Sequence, residues 1–499
     1  MKKPIYIGLT MKKILRLPTT LVLFVLVGQS FNASAQTVTN LYSFFGRFTD
    51  GGDPESSLVQ GADGNLYGTA LGGFARFGSN DNGCVFRISL SGGFTNLHSF
   101  QYSDGARPGA GLVQGSDGNF YGTTTVGGNT NVNHGIGFGT VFRMTPSGTL
   151  SSLYSFTGAP DGAFPFAALV QGKDGDFYGT TSEGGITTNG QFGYGTIFRI
   201  SPSGNYTNLY SFKNYPNDGS DPLALVQGSD GNLYGTTEGG GANHDGTVFR
   251  ISPTGDYTNL HSFSNSPDDG MVPGAGLVQG SDGNFYGTTQ NGGNNRSPQA
   301  PNGVGTVFRI SLNGDYTNLY AFTGPPDGEA PSGSLIQGSD GNLYGVMENG
   351  GAFNNGTLFR INLNGIYSNL YSFGGFPRDG SQPNAALVQG IDGNFYGMTT
   401  FGGINNSGTV YRLSVPLSPP PYPINHITGV QMSGTNIVFN IPSIASETYQ
   451  LQFSSSMNPT NWVNVPGVSV TNSIGALLTF TNFGGAIGPQ GFYRFDITP

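Results

Sequence analysis

The stretch LVQGSDGNFYGTT occupies residues 112–124 and returns letter for letter at 277–289. Near-copies stand at five more places, so that the motif's tyrosine falls at Tyr67, Tyr121, Tyr178, Tyr234, Tyr286, Tyr344 and Tyr396, 52 to 58 residues apart. A period of that length belongs to propellers and solenoids. Within the stretch, Ser116-Asp117-Gly118-Asn119 reads as a hairpin turn, in which Asp bonds its own backbone and Gly supplies the positive φ. LVQ before the turn and FYGTT after it read as strands. Each unit adds two further runs of the type TVFRI and TNLYSF, rich in aromatic and β-branched residues and bounded by Gly, Asp and Asn. Four strands in each of seven units predict an all-β chain folded as a seven-bladed β-propeller.

The two ends of the array bear on closure. TNLYSF appears at 39–44, before any LVQ run, whereas the last unit stops after GTVYRLSV at 408–415. The last blade is one strand short and the N-terminus has one to spare. Pairing them closes the propeller with an N-terminal strand and removes a sheet edge that invites aggregation.

Residues 1–35 read as a secretory signal, with Lys12, Lys13 and Arg16, an apolar run from Leu21 to Val27, and Ala33-Ser34-Ala35 before Gln36. Met11 restarts the pattern with MKKILRL, which makes it the alternative start. The apolar run is too short to be a permanent membrane span. Removing the segment takes five basic and no acidic residues, leaving fifteen positive against twenty-nine negative side chains. That balance argues against DNA, RNA and anionic membrane surfaces as partners. The single cysteine, Cys84, stands where sister repeats carry Thr and reads as a small strand residue. With no partner for an intramolecular disulfide, an exported chain depends on packing alone.

Loop lengths separate the two faces of the disc. The LVQ-to-LYG turn has one length in all seven copies, as does the VFR-to-NLY turn in the six that hold both. By contrast, Tyr of LYG to Gly of GTVF runs 12 to 19 residues and the crossing to the next blade 12 to 14. Antiparallel strands send alternate turns to opposite faces, so variation gathers on one face, where functional loops also gather. Candidate ligand contacts there are Arg76, Phe77, His134, Phe138, Phe192, Tyr194, His244, Asp245 and Arg296. The same loops also read as tolerated surface insertions.

The crossing loop repeats D-G-x-x-P, beginning at Asp50, Asp104, Asp161, Asp218, Asp269, Asp327 and Asp379. Ten further carboxylates on that face, among them Asp53, Glu55, Glu183, Asp221, Glu238 and Glu348, make seventeen against six basic residues. With LVQ innermost, the seven Asp are expected to ring the channel mouth, where carboxylates suit a hard cation such as Ca2+. Asp-Gly is also a standard turn pair, so each Asp reads equally as a cap of its own turn. Signatures of catalysis such as H-E-x-x-H, G-x-S-x-G and a Walker sequence are absent.

The ordered set L-V-Q-G-S-D-G-N-(L/F)-Y-G-T-T, G-G, G-T-V-F-R-I-S and T-N-L-Y-S-F resembles the GloVer repeat of exported bacterial choice-of-anchor proteins, over about residues 39–414. The resemblance implies export and cell-surface placement, with no catalytic residues to carry over. D-G-N-(L/F)-Y is also similar to the blade motif of streptogramin lyases, which implies His-based, Mg2+-assisted chemistry; here the recurrent inner-strand positions carry no such His. After the propeller at 36–414 comes a Pro-rich linker, 415–424. Residues 425–499 read as six strands of an Ig-like or fibronectin-like β-sandwich that holds the only tryptophan, Trp462. The expected role is a secreted or cell-surface, non-catalytic module that binds a glycan or peptide at its variable face. A glycan-cleaving enzyme or lyase and an envelope scaffold stand as alternatives. Exposed aromatics on that face favour glycan, because sugar rings stack on them.

Overall fold

The computed structural model describes residues 36–414, apart from 47–49, 73–81, 186–192, 215, 217, 297–299 and 378, together with the backbone of six strands farther along. The signal segment, the linker 415–424, Trp462 and the candidates Arg76, Phe77 and Phe192 lie outside the described residues. The chain divides into one compact unit at Ala35–Val415 and another that contains Pro416–Pro499.

The larger unit is a seven-bladed β-propeller with no α-helix among the described residues. Blade 2 shows the plan: Val113–Gln114, Phe120–Thr124, Thr140–Met144 and Leu150–Ser155 pair antiparallel in chain order. Blade 7 combines Val388–Gln389, Phe395–Thr399 and Thr409–Ser414 with Thr37–Ser43 from the start of the chain as its outer strand. That last pairing runs in register from Thr37↔Ser414 to Ser43↔Thr409, with one irregularity between Asn40 and Tyr42.

The quoted turn is built as its residues dictate. Asp117 accepts from the Asn119 backbone N–H at 3.1 Å, from Asn119 Nδ2 at 2.7 Å and from the Tyr121 hydroxyl at 2.8 Å. Gly118 takes φ +81°, a conformation that costs a residue with a Cβ. The glutamine of LVQ then joins neighbouring blades. Gln114 Oε1 accepts from the Ala62 N–H at 2.9 Å, and the series continues round the disc to Gln60, which accepts from the Ile391 N–H at 2.9 Å.

The core lies between blades. Tyr67, Val85 and Phe100 of blade 1 pack with Leu112, Phe120, Phe142 and Met144 of blade 2. Phe44, Tyr396, Met398 and Val410 of blade 7 pack in the same way with Leu58, Leu66, Phe86 and Ile88 of blade 1. No blade has a second face of its own to bury, so the repeats stabilise one another or not at all. Packing also explains the glycine in F-Y-G-T-T: a Cβ on Gly122 would stand 2.6 Å from Phe142 Cζ and 2.9 Å from Leu112 Cδ2.

The D-G-x-x-P segment is more regular than its composition suggests. In blade 4 it belongs to the inner strand, Gly219–Gln227, which pairs with Leu233–Gly240 and carries an irregularity between Pro222 and Leu225. In blades 5 and 6 the equivalent pieces are Gly270–Pro273 and Glu329–Pro331. The inner ladder therefore continues beyond LVQ to the variable face.

The C-terminal unit contains two three-stranded antiparallel sheets. Gly429–Ser433, Asn436–Pro442 and Leu477–Asn482 form one, in that order; Val463–Thr471, Thr448–Ser454 and Phe492–Thr498 form the other.

Candidate functional site

The seven Asp of D-G-x-x-P do not converge on the channel. Each carboxylate bonds the outer strand that precedes it: Asp50 to Tyr42, Asp104 to His98, Asp161 to Tyr154, Asp218 to Tyr210, Asp269 to His261, Asp327 to Tyr320 and Asp379 to Tyr371, at 2.7 to 3.2 Å. Each also takes the backbone N–H of the residue just past that strand, as with Phe45 on Asp50 at 2.7 Å and Lys213 on Asp218 at 2.8 Å. Most of their bonds go to folding the crossing loop, while Asp50 Oδ1 is buried with no partner among the described residues. No group of three His, Cys, Asp or Glu suited to a metal ion occurs among the described residues. Calcium typically takes six to eight oxygens, roughly, and the expected ring does not assemble them.

A different feature recurs in the crossing loop. The residue before the proline has positive φ in every blade: Asp53, Arg107, Phe164, Asp221, Val272, Ala330 and Gln382, between 50° and 58°. Left-handed backbone at non-glycine residues is uncommon, and for a β-branched residue such as Val272 it is an outlier. Every one is pinned from below. Its N–H donates to a carbonyl of the preceding blade, at 2.8 Å for Arg107 on Asn82 and for Val272 on Asp245, and at 3.0 Å for Phe164 on Phe138. A second ring follows the proline: Glu55, Gly109, Phe166, Leu223, Gly274, Ser332 and Asn384 all line a cavity of about 350 Å³ on the channel axis. Ser182, Asp221 and Glu238 complete its wall. The invariant D-G and P hold the backbone, and the letters between and after them change from blade to blade. Phe166 is 51% exposed there.

The cavity is electrostatically strained. Burial raises the wall carboxyls of Glu55, Asp221 and Glu238, and that of Glu183 outside the lining, above their ordinary range. Asp53 and Glu348 push Glu55 further up while Arg107 opposes them, and Asp221 raises both Glu183 and Glu238. Ser332 Oγ and Asn384 Oδ1 are buried in the wall with no partner among the described residues.

A carboxyl raised in the folded state favours folding when protonated. Its contribution is full below its ordinary value, 4.5 for Glu238, and is lost as pH rises through the raised value. Glu238→Gln should therefore match the wild type near pH 4 and exceed it near pH 8 in urea midpoint. Equal midpoints at both pH values would show that the carboxyl is relaxed in the fold.

The sequence candidates among the described residues sit outside this cavity. His134 is exposed in a 3-10 turn, Asn133–Gly135, and His244 is exposed in its own loop. Arg296 is bound to Asn265 Oδ1 at 2.7 Å and to the Asn265 carbonyl at 3.0 Å. Phe138 is 6% exposed and packs edge-to-face on Phe164. Phe138, Tyr194 and Asp245 share one register position, and each offers its backbone carbonyl to the mouth residue of the next blade. They support the ring. The signal for the ring itself was in the columns of the repeat, where variable letters alternate with fixed ones.

Fold and site together define a repeat propeller with one diversified channel mouth. The chain belongs to the Gloeobacter/Verrucomicrobia repeat family, whose model matches residues 29–192 and 186–411. Among solved structures, a gluconolactonase of Xanthomonas campestris is 13% identical, covering 64% of this chain and 88% of its own, with TM-score 0.36. The extracellular domain of a hybrid two-component system of B. thetaiotaomicron is 12% identical, with TM-score 0.43; the match covers 90% of this chain and 57% of that one. No curated protein matches the chain.

Proposed function

We propose that this protein is an exported binding module, placed outside the cell by residues 1–35, that takes a glycan at the channel mouth without transforming it. The observation that carries the reading is the convergence of an exposed Phe166, carboxylates and unsatisfied wall atoms on one cavity whose residues vary within an otherwise repeated frame. A flat apolar face beside a few convergent polar groups is what a sugar ring requires. The net negative charge disfavours nucleic acid as the partner. The first strand, paired to the last blade, is the clasp that closes the disc, and the two C-terminal sheets pack as a small sandwich appended to it.

A glycan array probed with the chain from Gln36, with Ca2+ and again with chelator, tests this. Binding is expected, weakened about tenfold or more by Phe166→Ala, a loss of about 1.4 kcal/mol or more. A blank array under both conditions would leave the envelope scaffold as the better reading. Raised carboxyls about Asp221 favour one further reading, glycan cleavage with an acid held protonated. Release of reducing ends that disappears in Glu238→Gln would establish it.

A further inference from the structure

The seam between the first strand and the last blade carries a feature that the other blades lack. The outer strand of every blade is followed by a buried Phe, and the next residue's N–H is held by the crossing-loop Asp. In six blades that next residue is Gln101, Thr157, Lys213, Ser264, Thr323 or Gly374; at the seam it is Phe45, 58% exposed. Six sister loops fold without an aromatic there, so the fold does not require one. Since packing does not require it, the exposed ring is available as a flat stacking surface.

Phe45 borders a groove of about 530 Å³ with Asn40, Ser43, Pro377, Ile404 and Asn405. Its residues are separate from those of the channel mouth. Tyr42 forms a rigid part of the wall, its hydroxyl on Asp50 at 2.8 Å and its ring stacked on Phe94 at 4.2 Å. Asn405 Nδ2 donates to the Phe44 carbonyl at 3.2 Å and Asn40 Nδ2 to Ser43 Oγ at 3.0 Å. Both amides are thereby oriented, and each carbonyl oxygen is without a partner among the described residues. No charged side chain lines the groove among the described residues.

We propose that this groove is a second glycan subsite, specific for uncharged sugars. The apolar C–H face of a pyranose lies on Phe45, and its hydroxyls donate to the two amide carbonyls. The lining among the described residues is neutral and gives no purchase to a charged ligand. A peptide would seek a strand edge, which every outer strand offers, and would not explain an aromatic found only at the seam. The inference shares with the preceding section the reading that the chain binds glycans, but it stands on different residues.

The test uses cellohexaose, xylohexaose, mannohexaose and maltohexaose, each immobilised, and the chain from Gln36 as wild type, Phe45→Ala, Phe45→Trp and Phe166→Ala. Circular dichroism checks that each variant is folded. Retention of at least one of these sugars is expected to fall about tenfold or more in Phe45→Ala. It should be kept by Phe45→Trp and be unchanged at high salt, because no charge is involved. Wild-type retention by Phe45→Ala overturns the subsite, as does failure of all four sugars to bind the wild type. Loss in Phe166→Ala alone leaves the channel mouth standing and removes the groove. Loss in Phe45→Ala alone does the reverse.

Discussion

A chain that begins at Gly51, lacking Thr37–Ser43 and Phe44, is expected to lose cooperative unfolding and to run as aggregate on size exclusion. Three separate losses coincide. The strand Thr409–Ser414 is left with an unpaired edge of N–H and C=O groups, since its outer partner is gone. Phe44 is fully buried between blades 7 and 1, where it packs edge-to-face on Phe86 at 5.5 Å and donates its N–H to the Gly408 carbonyl at 3.0 Å. Tyr42, Phe45 and Asp50, whose carboxylate ties the first strand to the crossing loop, are removed together. The cavity left by Phe44 alone costs about 3–5 kcal/mol, which is comparable with the whole stability of many domains, roughly 5–15 kcal/mol. The point variant Phe44→Ala separates packing from edge exposure. It should elute as the wild type does, with its unfolding free energy lowered by an amount in that range. A truncated chain that unfolds cooperatively at the wild-type midpoint, as a monomer, would show that the disc is held by the inner side alone, through Gln60 and Ile391.

The parts of this molecule legible in the sequence are those written seven times. Asp117, Gly118 and Asn119 announce the turn because their chemistry is local: the bonds span two to four residues. Gln114 is just as repetitive, yet its bond to Ala62 reaches 52 residues away, and nothing in the motif points to the neighbouring blade. The D-G-x-x-P segments read as loops because Gly and Pro punctuate chains; they extend the inner ladder because a left-handed residue before the proline absorbs the bend. The channel mouth was hidden for the opposite reason. Long insertions drew attention to Phe138, Tyr194 and Asp245, whereas the cavity-lining positions Glu55, Phe166 and Asp221 sit in the crossing to the next blade, whose length varies only from 12 to 14 residues. Repetition identifies what builds the frame, and single letters varying inside it identify what the frame presents.

The assignment of the repeated Asp to loop construction has its own measurable consequence at Asp161. This residue is 8% exposed and accepts from the Tyr154 hydroxyl at 2.7 Å, the Thr157 N–H at 3.0 Å and Thr157 Oγ1 at 2.8 Å. Removing the carboxylate leaves three donors without an acceptor in a half-buried pocket, and each orphaned group costs about 1–3 kcal/mol without adding fully. Asp161→Ala is therefore expected to lower stability by about 3 kcal/mol, read as a shift in urea midpoint. Asp161→Asn should fall between, since one amide oxygen replaces two carboxylate oxygens and the new N–H groups face donors. The same loop presents Phe164 and Phe166, so glycan retention at the mouth should weaken along with stability. Ca2+ or chelator should move the midpoint of neither wild type nor variant, because no group of three His, Cys, Asp or Glu among the described residues is placed to hold the ion. If chelator instead costs the wild type as much as the substitution does, the carboxylates are metal ligands first and turn residues second, and the crossing loops fold around an ion.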